Sequence, residues 1–117
     1  MTTGEPTTHV ARRLKTLGHP DRLRLLRLTR TPSAFPDNLV DPLVVGVCVN
    51  DLARAAGLPQ STASRHLGLL HDEGLVDITQ HGQWRYVRTS ESAMHALAEE
   101  LLGLLAPVND QGPSAEQ

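Results

Sequence analysis

The stretch "LPQSTASRHLGLLHDEGLV", Leu58 to Val76, decides how this chain is read. On a helical wheel at about 100° per residue, Leu67 and Leu70 fall within about 40° of Ala63 and form an apolar stripe. Ser61, Arg65, Gly68 and Asp72 fall on the opposite side, with Ser64 at the edge. The first half of the solvent face therefore shows short hydroxyls and one guanidinium. Hydroxyls donate or accept at base edges and phosphates, and a guanidinium pairs bidentately with guanine, so the pattern points to a groove of double-stranded DNA. Gly68 fits that reading, because a mid-helix glycine costs about 1 kcal/mol against alanine and needs a reason, such as close approach to a groove wall. Pro59 gives the helix no side-chain cap, so N–H groups near Ser61 and Thr62 are expected to be free for a phosphate. Taken alone, Gln60, Ser61 and Thr62 are equally compatible with an ordinary solvated first turn.

The flanks break that tie. Upstream, "NDLARAAG" has Asn50 as an expected N-cap, Leu52, Ala53 and Ala56 as an inward face, and Gly57 as a terminator. Two helices joined by a short Gly-containing turn make a helix-turn-helix. Downstream, "GLVDITQHGQWRYVRTS" alternates Val76 and Ile78 with polar residues, turns near His81-Gly82, and returns through Trp84, Tyr86 and Val87. Arg85, nearest the tip, is expected to reach flanking phosphates or the minor groove. Trp84 and Tyr86 share a face and read as packing. His66, on the border of the stripe, reads as a histidine hydrogen-bonded between helices.

The expected fold is mainly α with a small β-hairpin: a winged helix-turn-helix of five helices with a two- or three-stranded wing. Residues 1–7 are expected to be a flexible N-terminus, 8–106 the folded domain, and 107–117 a disordered tail. Within the domain, Val10, Leu14 and Leu17 recur at helical spacing, Gly18 ends that helix, and Pro20 opens the next, with Leu23, Leu25, Leu26 and Leu28 taken as inward. The segment 30–46 is rich in proline and lacks a period, which predicts a long ordered or semi-ordered loop ahead of a short buried strand over Val44–Val49. A last helix is expected from Glu91 to Leu105.

Composition bounds the function. With 117 residues and one each of Phe, Trp and Tyr, the chain can build one small core of Leu, Val and Ala. Its single cysteine, Cys48, excludes an internal disulfide and fits a reducing compartment; Cys48 itself reads as a buried strand residue. No apolar run has membrane-spanning length and no secretion signal is visible, so a cytoplasmic location is expected. The net charge of −2 hides an asymmetry: residues 1–30 carry seven cations and two acids, and no acid lies between Arg54 and His71. Phosphates respond to the local field within about 10 Å, so an acidic total does not exclude DNA. No nucleophile–base arrangement, phosphate loop or carboxylate pair suggests an enzyme.

The segment "VNDLARAAGLPQSTASRHLGLLHDEGLVDITQHGQWRYVR" closely resembles the ArsR/SmtB family of small bacterial winged-helix regulators, and the likeness runs from about Val10 to Leu105. The resemblance implies a homodimeric DNA-binding repressor or regulator, often released from DNA by a metal or another signal. One metal site of that family uses a Cys-x-Cys pair where this chain has Cys48-Val49-Asn50. Another begins with Asp-x-His on the last helix, where this chain has Glu91-Ser92-Ala93, and its downstream ligands fall on leucine and proline. Neither set is complete.

From the residues, two further surfaces are expected. Val10, Leu14 and Leu17 of the first helix with Met94, Leu97, Leu101 and Leu104 of the last form the expected dimer interface. Glu91, His95 and Glu99 follow at i, i+4 and i+8 on one helical stripe, a candidate nickel or zinc site to which His9 adds a ligand; a merely solvated charged face explains the same residues. The functional reading is a sequence-specific regulator on an inverted-repeat operator. The alternative is a winged-helix module that binds a protein, or a regulator controlled by a protein partner instead of a metal.

Overall fold

A computed structural model describes residues 6–107. The flexible N-terminus and tail expected at 1–7 and 107–117 lie outside the described residues, except that Pro6 and Thr7 already belong to the first helix. That helix, α1 (Pro6–Leu17), stops where the Gly18 N–H turns back onto the Leu14 carbonyl at 2.9 Å. One residue on, His19 is in extended backbone, and its Nδ1 accepts the Asp21 N–H at 3.1 Å. It caps α2 (Pro20–Thr29), whose first position is proline, where the missing N–H costs nothing. Leu25 and Leu26 are buried, but Leu23 is 49% exposed, contrary to the inward position expected for it. It lies about 160° around the helix from Leu25, and the core is on the Leu25 side.

The loop after α2 is more ordered than its composition suggests. A single 3₁₀ turn (Pro32–Ala34) delivers Phe35 into the core at 6% exposure. The Asn38 amide then donates to the carbonyls of Val40 (2.8 Å) and Gly46 (2.9 Å) and accepts the Cys48 N–H (3.2 Å). One side chain thus closes the loop onto the sheet. The strand that follows is short: β1 is Val47–Cys48, not Val44–Val49, and Val44 is 62% exposed. Gly46 sets the entry. Its φ of 127° is open to glycine, and a Cβ there would stand 2.6 Å from the Val87 carbonyl oxygen.

Cys48, not Asn50, is the N-cap of α3 (Val49–Ala56), because the chain passes directly from β1 into the helix. Gly57 closes α3 in the left-handed conformation (φ 70°). Leu58 and Pro59 then lead into α4 (Gln60–Asp72). The wing is β2 (Val76–His81) and β3 (Trp84–Thr89), antiparallel, with His81 opposite Trp84 and Gly82-Gln83 between them. Of these two turn residues only Gly82 has positive φ (63°), the mark of a type II′ hairpin turn. β1 pairs with the other edge of β3, Val47 opposite Val87, so the sheet order is β1-β3-β2. Finally, Ser90 caps α5 (Glu91–Gly103), its Oγ accepting the Ala93 N–H at 3.3 Å. α5 ends two residues before the expected Leu105, in a turn.

The core lies between α2, α3, α4 and the sheet. Leu25, Leu52, Leu70, Leu75 and Val87 are fully buried there, with Leu67 at 1%. Under them, the Thr29 and Thr89 hydroxyls share a buried hydrogen bond of 2.7 Å, which satisfies both. Among the described residues, no helix is long and apolar enough to cross a membrane.

Candidate nucleic-acid interface

The helix of the opening quotation is α4, and its buried side is Ala63, His66, Leu67 and Leu70. These residues hold the opposite face outward. Gln60, Ser61 and Arg65 are exposed, while Thr62, Ser64 and Gly68 are half-buried. A Cβ added at Gly68 meets nothing within 4 Å, so no contact inside the protein requires glycine there. At the helix start, the Thr62 and Ala63 N–H groups both reach the Pro59 carbonyl at 3.0 Å. Thr62 is therefore not a free donor, as the sequence led us to expect; the first turn tightens enough for its N–H to reach Pro59. Among the first N–H groups of α4, those of Gln60 and Ser61 are instead the ones with no backbone acceptor among the described residues.

The wing brings Arg85 to the same surface. Its Nη2 stands 3.4 Å from the Ser64 Oγ, so a long-range contact sets the hairpin beside the recognition face. Arg88, the other candidate on that strand, is engaged elsewhere: it donates to the Val44 carbonyl (3.2 Å) and pairs with Asp77 (3.3 Å). Trp84 is 39% exposed and Tyr86 is buried, with its ring edge-on to His81 at 5.5 Å. Arg85 thus reaches the outer side of α4 at Ser64, where Gln60, Ser61 and Arg65 are exposed and Thr62 and Gly68 are half-buried.

The basic N-terminal third is less available than its charge suggests. Arg12 pairs with Glu73 (3.6 Å), Arg13 donates to the Glu73 carbonyl (3.1 Å), Arg24 pairs with Asp21 (3.1 Å) and Arg30 with Glu91 (3.1 Å). Arg12 and Arg13 fasten α1 to the end of α4, and Arg30 fastens the end of α2 to α5, whereas the Arg24–Asp21 pair lies within α2. On the outer side of α4 the positive charge comes from Arg65 and Arg85, together with the helix N-terminus.

His66 is 5% exposed and ties α4 to α2. Its Nδ1 accepts from Arg22 Nε at 3.2 Å, and Arg22 also donates to the Thr16 carbonyl at 2.9 Å. Its ring stacks obliquely on His19, centroids 4.6 Å apart. Burial first, and then the positive charges of His19, Arg22 and Arg65, push the His66 pKa below the ordinary 6.5, with Asp21 acting in the opposite sense. The imidazole is held neutral and the Arg22 hydrogen bond needs it so.

The other two expected surfaces are rearranged. Leu97 is a correction: at 3% exposure it is buried within the protomer and leaves no area for a partner. Leu17 and Met94 pack on the core, and Val10 is half-buried. The apolar surface left open on α1, on α5 and just past its end is Leu14 (38%), Leu101 (40%), Leu102 (64%), Leu104 (79%) and Leu105 (82%). Within one protomer, the described residues of the α5 stripe are not gathered around one point. Glu91 is held by Arg30, and Glu91, His95, Glu99 and His9 bring no three donor atoms together, although His9 and Glu99 border one shallow pocket. Two helical turns separate Glu91 from Glu99, about 12 Å along the axis, which no single ion spans. Among the described residues, the cluster that does converge is His19, Asp21 and His66, with ligand atoms within 4.8 Å of one another. Sequence spacing could not show it, since 44 residues separate Arg22 from His66 and the contact is tertiary.

Comparison with known proteins agrees with this architecture. The family described as "Bacterial regulatory protein, arsR family" matches residues 47–77, which span β1, the two helices and the start of the wing. The chain is 32% identical over 89 residues to the uncharacterized HTH-type transcriptional regulator YbzH of Bacillus subtilis, covering 74% of this chain and 89% of that one. It is 30% identical over 94 residues to the HTH-type transcriptional regulator YgaV of Escherichia coli K12, covering 80% and 83%. The solution structure of a homodimeric winged helix-turn-helix DNA-binding domain from Mycobacterium bovis, a possible ArsR-family regulator, superposes with a TM-score of 0.63 at 24% identity, covering 88% and 90%. Family and fold are those of transcriptional regulators, not enzymes. The chain belongs to the ArsR family of bacterial transcriptional regulators, and α3, α4 and the β2–β3 wing are its winged helix-turn-helix DNA-binding unit.

Proposed function

We propose that the chain acts as a homodimeric repressor-type regulator on an inverted-repeat operator. α4 lies in the major groove, with Arg65 reading a guanine and Ser61 and Ser64 contacting bases or phosphates. The free N–H groups of Gln60 and Ser61 hold a phosphate, and Arg85 follows the adjacent backbone. The observation that carries the reading is the single outer surface on which Arg65, Ser64 and Arg85 meet beside an unobstructed Gly68. Dimerisation through α1 and α5 is supported by the exposed Leu14, Leu101 and Leu104, and by the homodimeric state of the M. bovis domain. It places half-sites about one helical turn of DNA, roughly 10 base pairs, or a multiple apart.

Fluorescence anisotropy on a fragment of the protein's own promoter tests this. Arg65→Ala should weaken binding by about 1 to 3 kcal/mol and relax preference at one position per half-site. Arg85→Ala should weaken binding nearly uniformly across sequences. An Arg65→Ala variant with unchanged affinity would sink the groove assignment and leave a protein-binding winged helix. A regulatory partner is favoured by one observation, the exposed Leu39 (78%) and Val44 (62%) on the long loop; Leu39→Ser that leaves regulation in cells unaltered removes it. Nickel or zinc as the inducing signal needs ligands beyond those that the α5 stripe of one protomer gathers.

A further inference from the structure

We propose that His19, Asp21 and His66 form a site for a divalent transition metal at the junction of α2 and α4, competing with Arg22 for the His66 imidazole. Three observations carry it. The ligand atoms of the three residues already lie within 4.8 Å of one another. A tetrahedral zinc with bonds of about 2.0 to 2.1 Å needs donors about 3.3 Å apart, so a closure of at most about 1.5 Å completes three positions and leaves the fourth for water. His19 and Asp21 are half-buried at the start of α2 and can rotate to supply it. Two imidazoles and one carboxylate are a borderline donor set that suits zinc or nickel over calcium or magnesium.

The second observation is the state of each donor. His19 Nδ1 accepts the Asp21 N–H, so an ion takes Nε2 or displaces that capping bond from Nδ1. Asp21 pairs with Arg24 through Oδ1 at 3.1 Å, and its second oxygen is spare. His66, at 5% exposure, has no hydrogen bond to Nε2 among the described residues.

The third is Arg22, whose Nε donates to His66 Nδ1. A metal on Nδ1 replaces that hydrogen bond outright. A metal on Nε2 moves the ring proton to Nδ1, where it faces the guanidinium N–H. By either route the ion and Arg22 are mutually exclusive partners of His66. Binding therefore exchanges one α2–α4 clasp for another, next to Arg65 on the recognition helix. The effect on DNA rests on the function proposed above; the metal site does not.

The test is calorimetric titration of metal-free protein with zinc(II), with cobalt(II) absorption as a report of coordination geometry. One ion per chain is expected. His19→Asn keeps a side-chain acceptor to cap α2 but removes Nε2, and should weaken binding at least tenfold, as should Asp21→Asn. Arg22→Ala should tighten binding, because its competitor is gone, while His95→Ala should leave it unchanged. Circular dichroism confirms that each variant is folded. No zinc binding by the parent, or undiminished affinity in folded His19→Asn, overturns the site. Zinc should also shift the DNA affinity of the parent and not of His19→Asn. An intact metal site with no such shift overturns the coupling alone, whereas a metal-free protein that binds no DNA overturns the proposed function and not the site.

Discussion

Gly68→Ala separates what the protein needs from what its ligand needs. The residue lies within α4, and a Cβ there meets nothing within 4 Å. Helix propensity then acts alone, and alanine should stabilise the fold by about 0.8 to 1.0 kcal/mol. For a domain of this size that is a rise in Tm of about 4 to 8 °C, measured by thermal unfolding followed by circular dichroism. On DNA the sign reverses. Gly68 is on the face of Ser61 and Arg65, and an added methyl holds the helix away from the groove wall. Weakening of operator binding by about tenfold, or about 1.4 kcal/mol, is expected in anisotropy. A variant that is more stable and binds DNA as tightly as the parent would refute the placement of this face. A variant less stable than the parent would refute the open space at Gly68 itself.

Gly46→Ala should be severe, since it adds a Cβ 2.6 Å from the Val87 carbonyl at a φ of 127°; a loss of about 2 to 4 kcal/mol in chemical denaturation is expected, and a neutral result would contradict the β1–β3 register. His66 gives a pH dependence. Its folded pKa is lowered from 6.5, so below that value the unfolded chain binds a proton that the fold refuses, and stability falls with pH until the folded pKa is passed. Denaturation in metal-free buffer between pH 7 and 5 should show this slope, and His66→Gln should flatten it. Leu101→Glu with Leu104→Glu places charge on exposed apolar surface of α5 and should yield a folded monomer in analytical ultracentrifugation; a dimer that survives both changes would move the interface elsewhere.

Much of the DNA-binding unit was legible in the sequence because its signals are local. Ala63, Leu67 and Leu70 recur at helical spacing, Gly57 and Pro59 bracket a short turn, and Gly82 marks a hairpin. What orders the long loop is not legible in the sequence, for the opposite reason. Its order comes from Phe35 in the core and from Asn38 bridging to Gly46 and Cys48, and nothing periodic announces a single polar side chain that closes a loop. Leu97 was assigned to a dimer face because an apolar arc does not say which of its members the protomer itself covers.

By itself, then, the sequence determined the succession of helices and strands, the outward set Gln60, Ser61, Arg65 and Gly68, and the family. Periodicity, turn chemistry and capping all act over a few residues. The tertiary structure alone decided which charges are spent. Arg12 and Arg30, which help to make the N-terminal third basic, become fasteners for Glu73 and Glu91 once the helices pack. It also decided that His19, Asp21, Arg22 and His66 share one small volume. Donors from distant segments converge only when the chain is folded, because convergence depends on helix packing and not on spacing along the chain.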